Sequence, residues 1–412
     1  MITNSLNYIK TLIKWIIISV AVGLCGGVIG SLFNKCVTYV TNVRTANSWV
    51  IFLLPLGGVV IAFLYKFFAK DGKIDTNRVI RSVGGDEKVP VVMLPLIFVS
   101  TVITHFLGGS AGREGAALQL GGCMGYNFGK ILKFKDSNMH IIVMAGMSSV
   151  FAALFGTPVT AAIFAVEVIS VGIMRYSALV PCLISSMVAY GISLLFGIKH
   201  EVFDFVVFNS LDVSVMVKAV VLALLCAVVS IGFCSSIKYS EKYMKNLMPN
   251  VYIRGAVGGV IIITLTLLVG SYDYNGAGMN IVERAMHGEA NPEAFILKII
   301  FTAITIGAGF KGGEIVPTFF IGSTFGCVAG SLLGLEPGFG AAIGFVSMFC
   351  GVVNCPIASI MLSVEVFGAE AFPIFAVCCA ISYMMSGRYG LYKSQKIVYS
   401  KLNENKIDAY AN

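Results

Sequence analysis

The fold is decided by Gly108-Gly109-Ser110-Ala111-Gly112-Arg113-Glu114-Gly115, a glycine-rich stretch that interrupts an apolar chain and carries an acid. A second interruption, Gly309-Phe310-Lys311-Gly312-Gly313-Glu314, places its glutamate 200 positions later (314 − 114 = 200). A carboxylate inside a bilayer is costly, so it indicates a functional site. Paired interrupted segments in the two halves of a membrane protein indicate a transport site.

The composition places most of the chain in a membrane. Of its 412 residues, 57% are hydrophobic and 12% charged, whereas a soluble domain is about 25% charged. A membrane span needs ~20 apolar residues, and several apolar runs here are shorter or longer. We therefore predict an all-α polytopic membrane protein with tilted, broken and re-entrant helices. The apolar runs are 11–33, 49–68, 89–107, 141–169, 177–197, 214–237, 254–270, 295–308, 315–335, 340–363 and 371–385.

Basic residues cluster before the first apolar run, in one loop and in the C-terminal tail, within a net charge of +8. Lys and Arg are enriched in the cytoplasmic loops of membrane proteins. We therefore expect both termini in the cytoplasm, and we expect no nucleic-acid partner. The clusters are Lys10 and Lys14; Lys66, Lys70, Lys73, Arg78, Arg81 and Lys88; and Arg388, Lys393, Lys396, Lys401 and Lys406.

The eleven cysteines lie mostly inside apolar runs, without a CxxC pair and without the Cys/His spacing typical of zinc sites. We interpret them as small buried side chains and expect neither a metal nor a cofactor. The first apolar run lacks a small-residue cleavage site after it, so we interpret it as a retained helix rather than a signal peptide.

The chain repeats itself beyond the two glutamates. Residues 151–158 resemble residues 349–356, and an apolar stretch then leads from each block to Val-Glu-Val at 166–168 or 364–366. The offset of the two prolines is 198 (356 − 158 = 198), close to the offset of the glutamates. Two blocks in the same order at nearly the same offset predict a tandem of two halves.

We place the first transmembrane half at 1–200 and the second at 201–390, with charged loops at 198–204 and 238–254 near the seam. The remaining tail, 391–412, is polar and too short for an appended regulatory domain. Repeats of this kind usually pack about a pseudo-two-fold axis with the substrate at their interface.

The first glycine stretch predicts a loop that opens into a helix at about residue 113. Free N–H groups at a helix start carry roughly half a positive charge and bind anions without a formal cation. We expect Gly112, Arg113 and Gly115 to surround such a site. Glu114 would occupy the site when no anion does and leave it once protonated, which would couple anion entry to proton uptake. The alternative is that Glu114 only caps the helix.

Gly312-Gly313-Glu314-Ile315-Val316-Pro317 predicts a second helix start, because the glycines allow close approach and proline fits a first helical turn. Gly313 and Ile315 would contribute backbone to the same anion site, where two helix dipoles converge. Glu314 is the second coupling candidate. The alternative is an N-terminal charge that the helix dipole stabilises.

These motifs resemble the CLC family of anion channels and antiporters: GREG at 112–115 before an apolar helix, GGxxxP at 312–317 before another, and FGTPVTAAIFAVE at 155–167. The resemblance covers about 100–392. It implies an all-helical, inverted-repeat homodimer in the cell membrane with one anion pathway per subunit. It also implies that Glu114 is the external gating glutamate.

Three differences from the chloride branch of that family resemble its fluoride-exporting clade. The Gly-Ser-Gly-x-Pro motif of the chloride branch is absent, and 75–80 is the nearest equivalent stretch. Glu314 stands where the chloride branch has an apolar residue. Glu167-Val168 stands where its antiporters carry two adjacent glutamates, so the inner proton glutamate is missing. The resemblance implies fluoride/proton antiport that confers fluoride resistance.

Fluoride is small and strongly hydrated, so its binding site must supply strong hydrogen-bond donors. A protonated Glu314 would be such a donor. Tyr392 resembles the inner-gate tyrosine of the family, with an interfacial tyrosine as the alternative. Thr76 and Asn77 are candidates for the residue that replaces the central serine. The alternative is that either residue caps a helix.

Other polar residues favour structural roles. We expect Glu167 and Glu365, in helix interiors of the two halves, to satisfy backbone in broken helices. Arg113 is expected mainly to position the Glu114 loop. His105 is interpreted as a packed or interfacial residue rather than a proton relay.

Three rival functions remain. The nearest alternative function is that of a chloride/proton exchanger or chloride channel of the same family. The stretch 108–112 also spells G-x-S-x-G with Ser110 at its centre and His105 close by, which suggests an intramembrane serine hydrolase, although a nucleophile elbow needs a preceding strand. A purely structural scaffold leaves the two paired glutamates unexplained.

The expected partners are fluoride, protons, membrane lipid and a second copy of the chain.

Overall fold

The computed structural model describes residues 2–69, 74–85, 87–199, 203, 212–403 and 405–412. Seven helical segments in this part are long and apolar enough to cross a membrane, judged by length and composition. They are Asn7–Ala46, Ser48–Phe68, Ser137–Phe155, Tyr176–Leu195, Val213–Leu247, Val251–Val269 and Ile315–Leu332.

The first part of the chain forms eight α-helices among the described residues. The first has 45 residues and, at 1.5 Å per residue, is about 68 Å long. A helix of that length must tilt or extend beyond a hydrocarbon core of about 30 Å. The helices are α1 (Ile2–Ala46), α2 (Leu54–Phe68), α3 (Thr76–Gly84), α4 (Met93–Leu107), α5 (Glu114–Ile131), α6 (Asp136–Phe155), α7 (Pro158–Glu167) and α8 (Leu179–Leu195), with 3-10 turns at Ser48–Leu53 and Tyr176–Ala178.

Eight further α-helices follow in the described part of the second half. The order and lengths of α4 to α7 recur in α12 to α15, with 15 residues in α4 and α12 and 18 in α5 and α13. The helices are α9 (Val213–Leu247), α10 (Val251–Val269), α11 (Met279–Met286), α12 (Ala294–Ala308), α13 (Ile315–Leu332), α14 (Pro337–Val353), α15 (Pro356–Phe367) and α16 (Phe372–Met385).

The charged stretch 238–254 is not a loop. Helix α9 continues to Leu247, and only residues 248–250 separate it from α10. Most of the charged residues therefore lie on the last turns of a 35-residue helix. This helix is about 52 Å long, longer than a hydrocarbon core of about 30 Å. Of the other expected loop, 198–204, residues 200–202 and 204 lie outside the described residues, as do the basic residues Lys70 and Lys73.

The apolar runs 141–169 and 340–363 each divide between two helices, so the broken helices that the irregular run lengths predicted are present. Helix α6 ends at Gly156 with φ +76°, and α14 ends at Asn354 with φ +57°. Left-handed caps of this kind terminate helices. Pro158 and Pro356 are then the first residues of α7 and α15, where the missing N–H of proline is tolerated.

Glycines let the helix pairs α5/α6 and α13/α14 touch backbone to backbone. A Cβ added to Gly121 would lie 2.2 Å from the carbonyl oxygen of Gly146, and one added to Gly344 would lie 2.0 Å from that of Gly322. No side chain fits at either position. Small residues at membrane helix interfaces allow such close approach, and here both halves use it.

The C-terminal tail is folded rather than extended into solvent. β1 (Ser170–Val171) pairs in parallel with β2 (Lys396–Tyr399), which pairs antiparallel with β3 (Lys406–Tyr410). Gln395 is buried and donates to the carbonyl oxygens of Val168 and Val353. The all-α prediction therefore describes the membrane body, and the tail adds a small sheet that sequence patterning did not indicate.

The C-terminal tail contacts α3, because the backbone N–H of Ser394 donates to Asn77 Oδ1 at 2.9 Å. At the far end of α1, Arg44 Nη1 donates to the carbonyl of His105, beside the first glycine loop.

Candidate functional site

The two glycine loops meet at the centre of the molecule. Gly112 and Gly313 form an antiparallel bridge in which each N–H donates to the carbonyl of the other at 2.6 Å. A Cβ on Gly313 would lie 2.3 Å from the amide nitrogen of Gly115, so a side chain would push the loops apart. The starts of α5 and α13 therefore come together, as the sequence predicted.

Each loop is also held by a threonine from the other half. The N–H of Ser110 donates to Thr305 Oγ1 at 3.1 Å, and the N–H of Lys311 donates to Thr104 Oγ1 at 3.2 Å. Because Thr104 and Thr305 lie at equivalent places in α4 and α12, the two bonds repeat one another. This reciprocal bracing fixes the position of both helix starts.

Glu114 is the first residue of α5 and is only 2% exposed. Its Oε2 accepts the N–H of Arg113 at 2.8 Å and lies 2.7 Å from where a Cβ of Gly112 would stand, while Oε1 lies 3.3 Å from Arg113 Nε. The carboxylate thus curls back over the start of α5.

A small cavity of about 30 Å³ opens beside Glu114. Arg113, Phe155 and Lys199 are among its lining residues. Among the described residues, none of α3 or of the C-terminal tail lines this cavity.

Glu314 opens towards a different cavity. It is the N-cap residue of α13, without a side-chain capping hydrogen bond, and its Oε2 lies 3.3 Å from the Cβ position of Gly115, so it adjoins the same bridge as Glu114. It lines a cavity of about 120 Å³, which we call the vestibule. The vestibule reaches α3 and the C-terminal tail. None of its described lining residues also lines the cavity at Glu114.

The remaining predicted residues surround the bridge and the vestibule. Ile315 begins α13 and is buried, and Arg113 precedes the first residue of α5. Thr76 and Asn77 both line the vestibule. Neither caps α3, because Asp75 does so by accepting the N–H of Arg78.

Thr76 and Asn77 are each held by one described hydrogen bond. Thr76 Oγ1 accepts from Gln119 Nε2 at 2.9 Å, and Asn77 Oδ1 accepts from the tail. Tyr392 also lines the vestibule, is 2% exposed, and its Oη has no hydrogen-bond partner among the described residues. An unpartnered buried hydroxyl is a donor available to an anion.

Several vestibule residues were missed by sequence reasoning. Gln119 lies one and a half turns into α5, and Lys311 stands inside the quoted second motif, but neither was singled out. Glu241 forms an ion pair with Lys393 at the vestibule mouth. Glu241 was missed because its segment was interpreted as a loop.

The second pair of glutamates is structural, as predicted. Glu167 accepts the N–H groups of Ile357 and Ala358 at 3.1 and 2.8 Å, and Glu365 accepts those of Val159 and Thr160 at 2.9 and 2.7 Å. Each half thus supplies the acid that caps a broken helix of the other half. Glu167 is the last residue of α7 rather than an interior one.

The serine hydrolase interpretation is wrong. Ser110 is fully buried, its Oγ lies 3.0 Å from Thr302 Oγ1, and the residues before it form helix α4 rather than a strand. A nucleophile elbow needs an exposed serine after a strand. His105 is 1% exposed and packed in α4, as expected.

Comparisons with known proteins agree with this geometry. A family model described as voltage gated chloride channel matches residues 57–387. A chloride/fluoride channel protein of Pseudomonas syringae pv. tomato is 33% identical, over 97% of this chain and 90% of its own. The H(+)/Cl(-) exchange transporter ClcA of Vibrio cholerae serotype O1 is 25% identical, over 88% of this chain and 84% of its own.

Solved structures share the fold. A crystal structure of a CLC-type fluoride/proton antiporter is similar with a TM-score of 0.89 at 29% identity, covering 94% of this chain and 98% of that one. A slow cyanobacterial Cl-/H+ antiporter has a TM-score of 0.78 at 20% identity, covering 90% and 94%.

Proposed function

The chain belongs to the CLC family, and from that premise we propose that it exchanges fluoride for protons across the membrane. The observation that carries the proposal is the pair Glu114 and Glu314, which adjoin one Gly112–Gly313 bridge and line two different cavities. A relative named for chloride and fluoride and a structural neighbour that is a fluoride/proton antiporter support the same ion.

The bridge region would hold the anion. Backbone N–H groups at the starts of α5 and α13 supply partial positive charge without a fixed cation. In contrast, the first N–H groups of α7 and α15 already bind Glu365 and Glu167. An anion between the halves is therefore attracted to the first pair of helix starts.

Glu114 would be the gate. Its carboxylate occupies the start of α5, so an arriving fluoride must displace it. Protonation removes its attraction for the positive helix end and lets it swing towards the cavity at Arg113 and Lys199. The carboxylate and fluoride compete for the same place, and uptake of a proton by Glu114 vacates it, which is how the side chain couples the movements of fluoride and protons.

Glu314 would carry the proton on the side of the termini. Val168 stands where chloride antiporters of the resembled family have their inner proton glutamate, so that route is missing. Glu314 lines the vestibule near Tyr392. When protonated it donates a hydrogen bond to dehydrated fluoride, and on ionising it releases that proton into the vestibule.

We extend the proposal to location and assembly. The basic clusters at both ends of the chain favour cytoplasmic termini in the cell membrane, so the vestibule would be the cytoplasmic entrance and Glu114 the external gate. Two halves at 1–200 and 201–390 agree with the recurrence of α4 to α7 in α12 to α15. A homodimer is expected from the family resemblance and is tested by light scattering of the purified protein.

Anion-gradient flux from liposomes tests the ion. Vesicles that contain the purified protein should release fluoride much faster than chloride, with protons moving in the opposite direction. Chloride release as fast as fluoride release would instead assign the protein to the chloride exchangers or channels of the family.

A further inference from the structure

A cavity of about 800 Å³ lies next to the vestibule. Its walls are the last turns of α2, the start of α10 and the link that follows α12. Its volume is within the ~300–1,000 Å³ of ordinary ligand pockets and far exceeds a fluoride ion. The lining residues are Gly58, Ile61, Ala62, Tyr65, Lys66, Ala69, Pro249, Asn250, Val251, Tyr252, Arg254, Ala308, Gly309 and Lys311.

Three cations line this cavity, and its described lining contains no carboxylate. They are Lys66, Arg254 and Lys311, none of which takes part in an ion pair with a described residue. The Nζ of Lys311 stands 4.4 Å from the ring centroid of Tyr65, and that of Lys66 stands 5.2 Å from the ring of Tyr252. Asp75, Glu241 and Glu314 lie near Lys311 on the vestibule side, but none of them lines this cavity. Like charges grouped in one lining favour an anionic occupant.

Two buried donors at this cavity also lack partners. Tyr65 Oη and Arg254 Nε make no hydrogen bond to a described residue. A buried donor without an acceptor destabilises the fold. An oxyanion would accept from both and offset the charge of the three cations.

The surroundings favour a phosphate at a membrane surface. Arg and Lys bind phosphate oxygens strongly, and basic pockets between membrane helices bind lipid headgroups. Outside the cavity, α2 exposes Phe63 and Phe67, and α10 exposes Ile253; acyl chains can lie along these faces. We propose that the cavity binds the phosphate of an anionic phospholipid headgroup or of a soluble anion, and that its occupancy slows fluoride entry.

Lys311 connects the two cavities, because it lines both. Its ammonium attracts anions into the vestibule, where Asp75 and Glu241 also lie, the latter paired with Lys393. A phosphate bound beside Lys311 cancels part of that attraction and repels fluoride. This second part of the inference rests on the proposed fluoride transport.

Binding is tested with Lys66→Gln/Arg254→Gln against the matched control Lys242→Gln/Lys245→Gln, which removes two exposed charges from α9 on the same side. Native mass spectrometry should show wild type and control retaining several-fold more phosphatidylglycerol than the cavity variant. Thermal shifts with inorganic phosphate distinguish the sources: a shift that only the cavity variant loses assigns a soluble anion. Equal lipid retention and equal phosphate shifts in all three proteins would overturn the site.

Regulation is tested by fluoride efflux from phosphatidylcholine vesicles with and without phosphatidylglycerol. Fluoride efflux through the wild type and the control should be at least twofold slower in vesicles with phosphatidylglycerol, whereas efflux through the cavity variant should be equally fast in both kinds of vesicle. Rates independent of the lipid in wild type would overturn the coupling through Lys311. If no protein moves fluoride at all, the proposed function fails, but the binding experiment still decides the site.

Discussion

Glu114 and Glu314 differ from Glu167 and Glu365 in what their carboxylates bind, although both pairs recur in the two halves of the chain. Glu167 and Glu365 each accept two backbone N–H groups from the opposite half. Glu114 binds within its own loop, at Arg113. Glu314 faces the vestibule.

The difference shows how glutamates that recur in both halves can serve structure at one pair of positions and transport at another. An acid whose oxygens cap another helix cannot leave without removing the acceptors of that helix's first N–H groups. An acid that folds back over its own helix start can leave when an anion arrives. Glu167 and Glu365 therefore join the halves, and Glu114 and Glu314 are available for transport.

Glu114→Gln should have the largest effect on transport. The amide cannot take up a proton, so proton influx coupled to fluoride efflux should fall about a hundredfold, while melting temperature in detergent stays near that of wild type. Parallel pH-dye and fluoride-electrode recordings check this. Undiminished coupled flux would remove Glu114 from the gate.

Glu314→Gln should reduce coupled flux roughly tenfold, because the amide still donates to fluoride but cannot release a proton. The matched control is Glu365→Gln at the structural pair, which should keep wild-type coupling. If both variants behave alike in the vesicle assay, the two pairs do not differ in function.

Glu167→Ala and Glu365→Ala should instead lower stability. Each leaves two buried N–H groups without acceptors, at a cost of about 1–3 kcal/mol per group. Thermal unfolding of the detergent-solubilised protein should shift down clearly, and the Gln variants, which keep an acceptor, should shift less. The number of protons moved per fluoride should not change, and a changed ratio would place these acids in the pathway.

Tyr392→Phe should have the smallest effect. Its Oη has no described protein partner, so stability should hardly change. Losing one neutral hydrogen bond to the anion, about 1 kcal/mol, should lower fluoride-over-chloride selectivity a few-fold in liposome flux. An unaltered selectivity would move Tyr392 out of the anion path.

Local rules predicted the parts of the site that lie within one stretch of chain. Glycines, proline and an adjacent acid identified both helix starts, and the irregular lengths of the apolar runs predicted broken helices without locating the breaks at Gly156 and Asn354. Helices α3 and α11 were not predicted, because both are short and not continuously apolar. The strands were missed because a four-residue strand in a charged tail has no distinctive pattern.

Long-range contacts had no local signal. Asn77 meets the tail across 317 positions, and Gln119 meets Thr76 across 43. Such pairs depend on how the halves pack, which spacing within one segment does not encode. The cavity at Lys66, Arg254 and Lys311 is of the same kind, since three separate elements bring its cations together.

The most direct test of exchange is whether a fluoride gradient alone drives protons uphill. Vesicles loaded with fluoride, placed in fluoride-free buffer with equal pH inside and out and potassium clamped by valinomycin, should acidify as fluoride leaves. The acidification should vanish with Glu114→Gln. Fluoride efflux from the wild-type protein without acidification would contradict coupled antiport at the Gly112–Gly313 bridge.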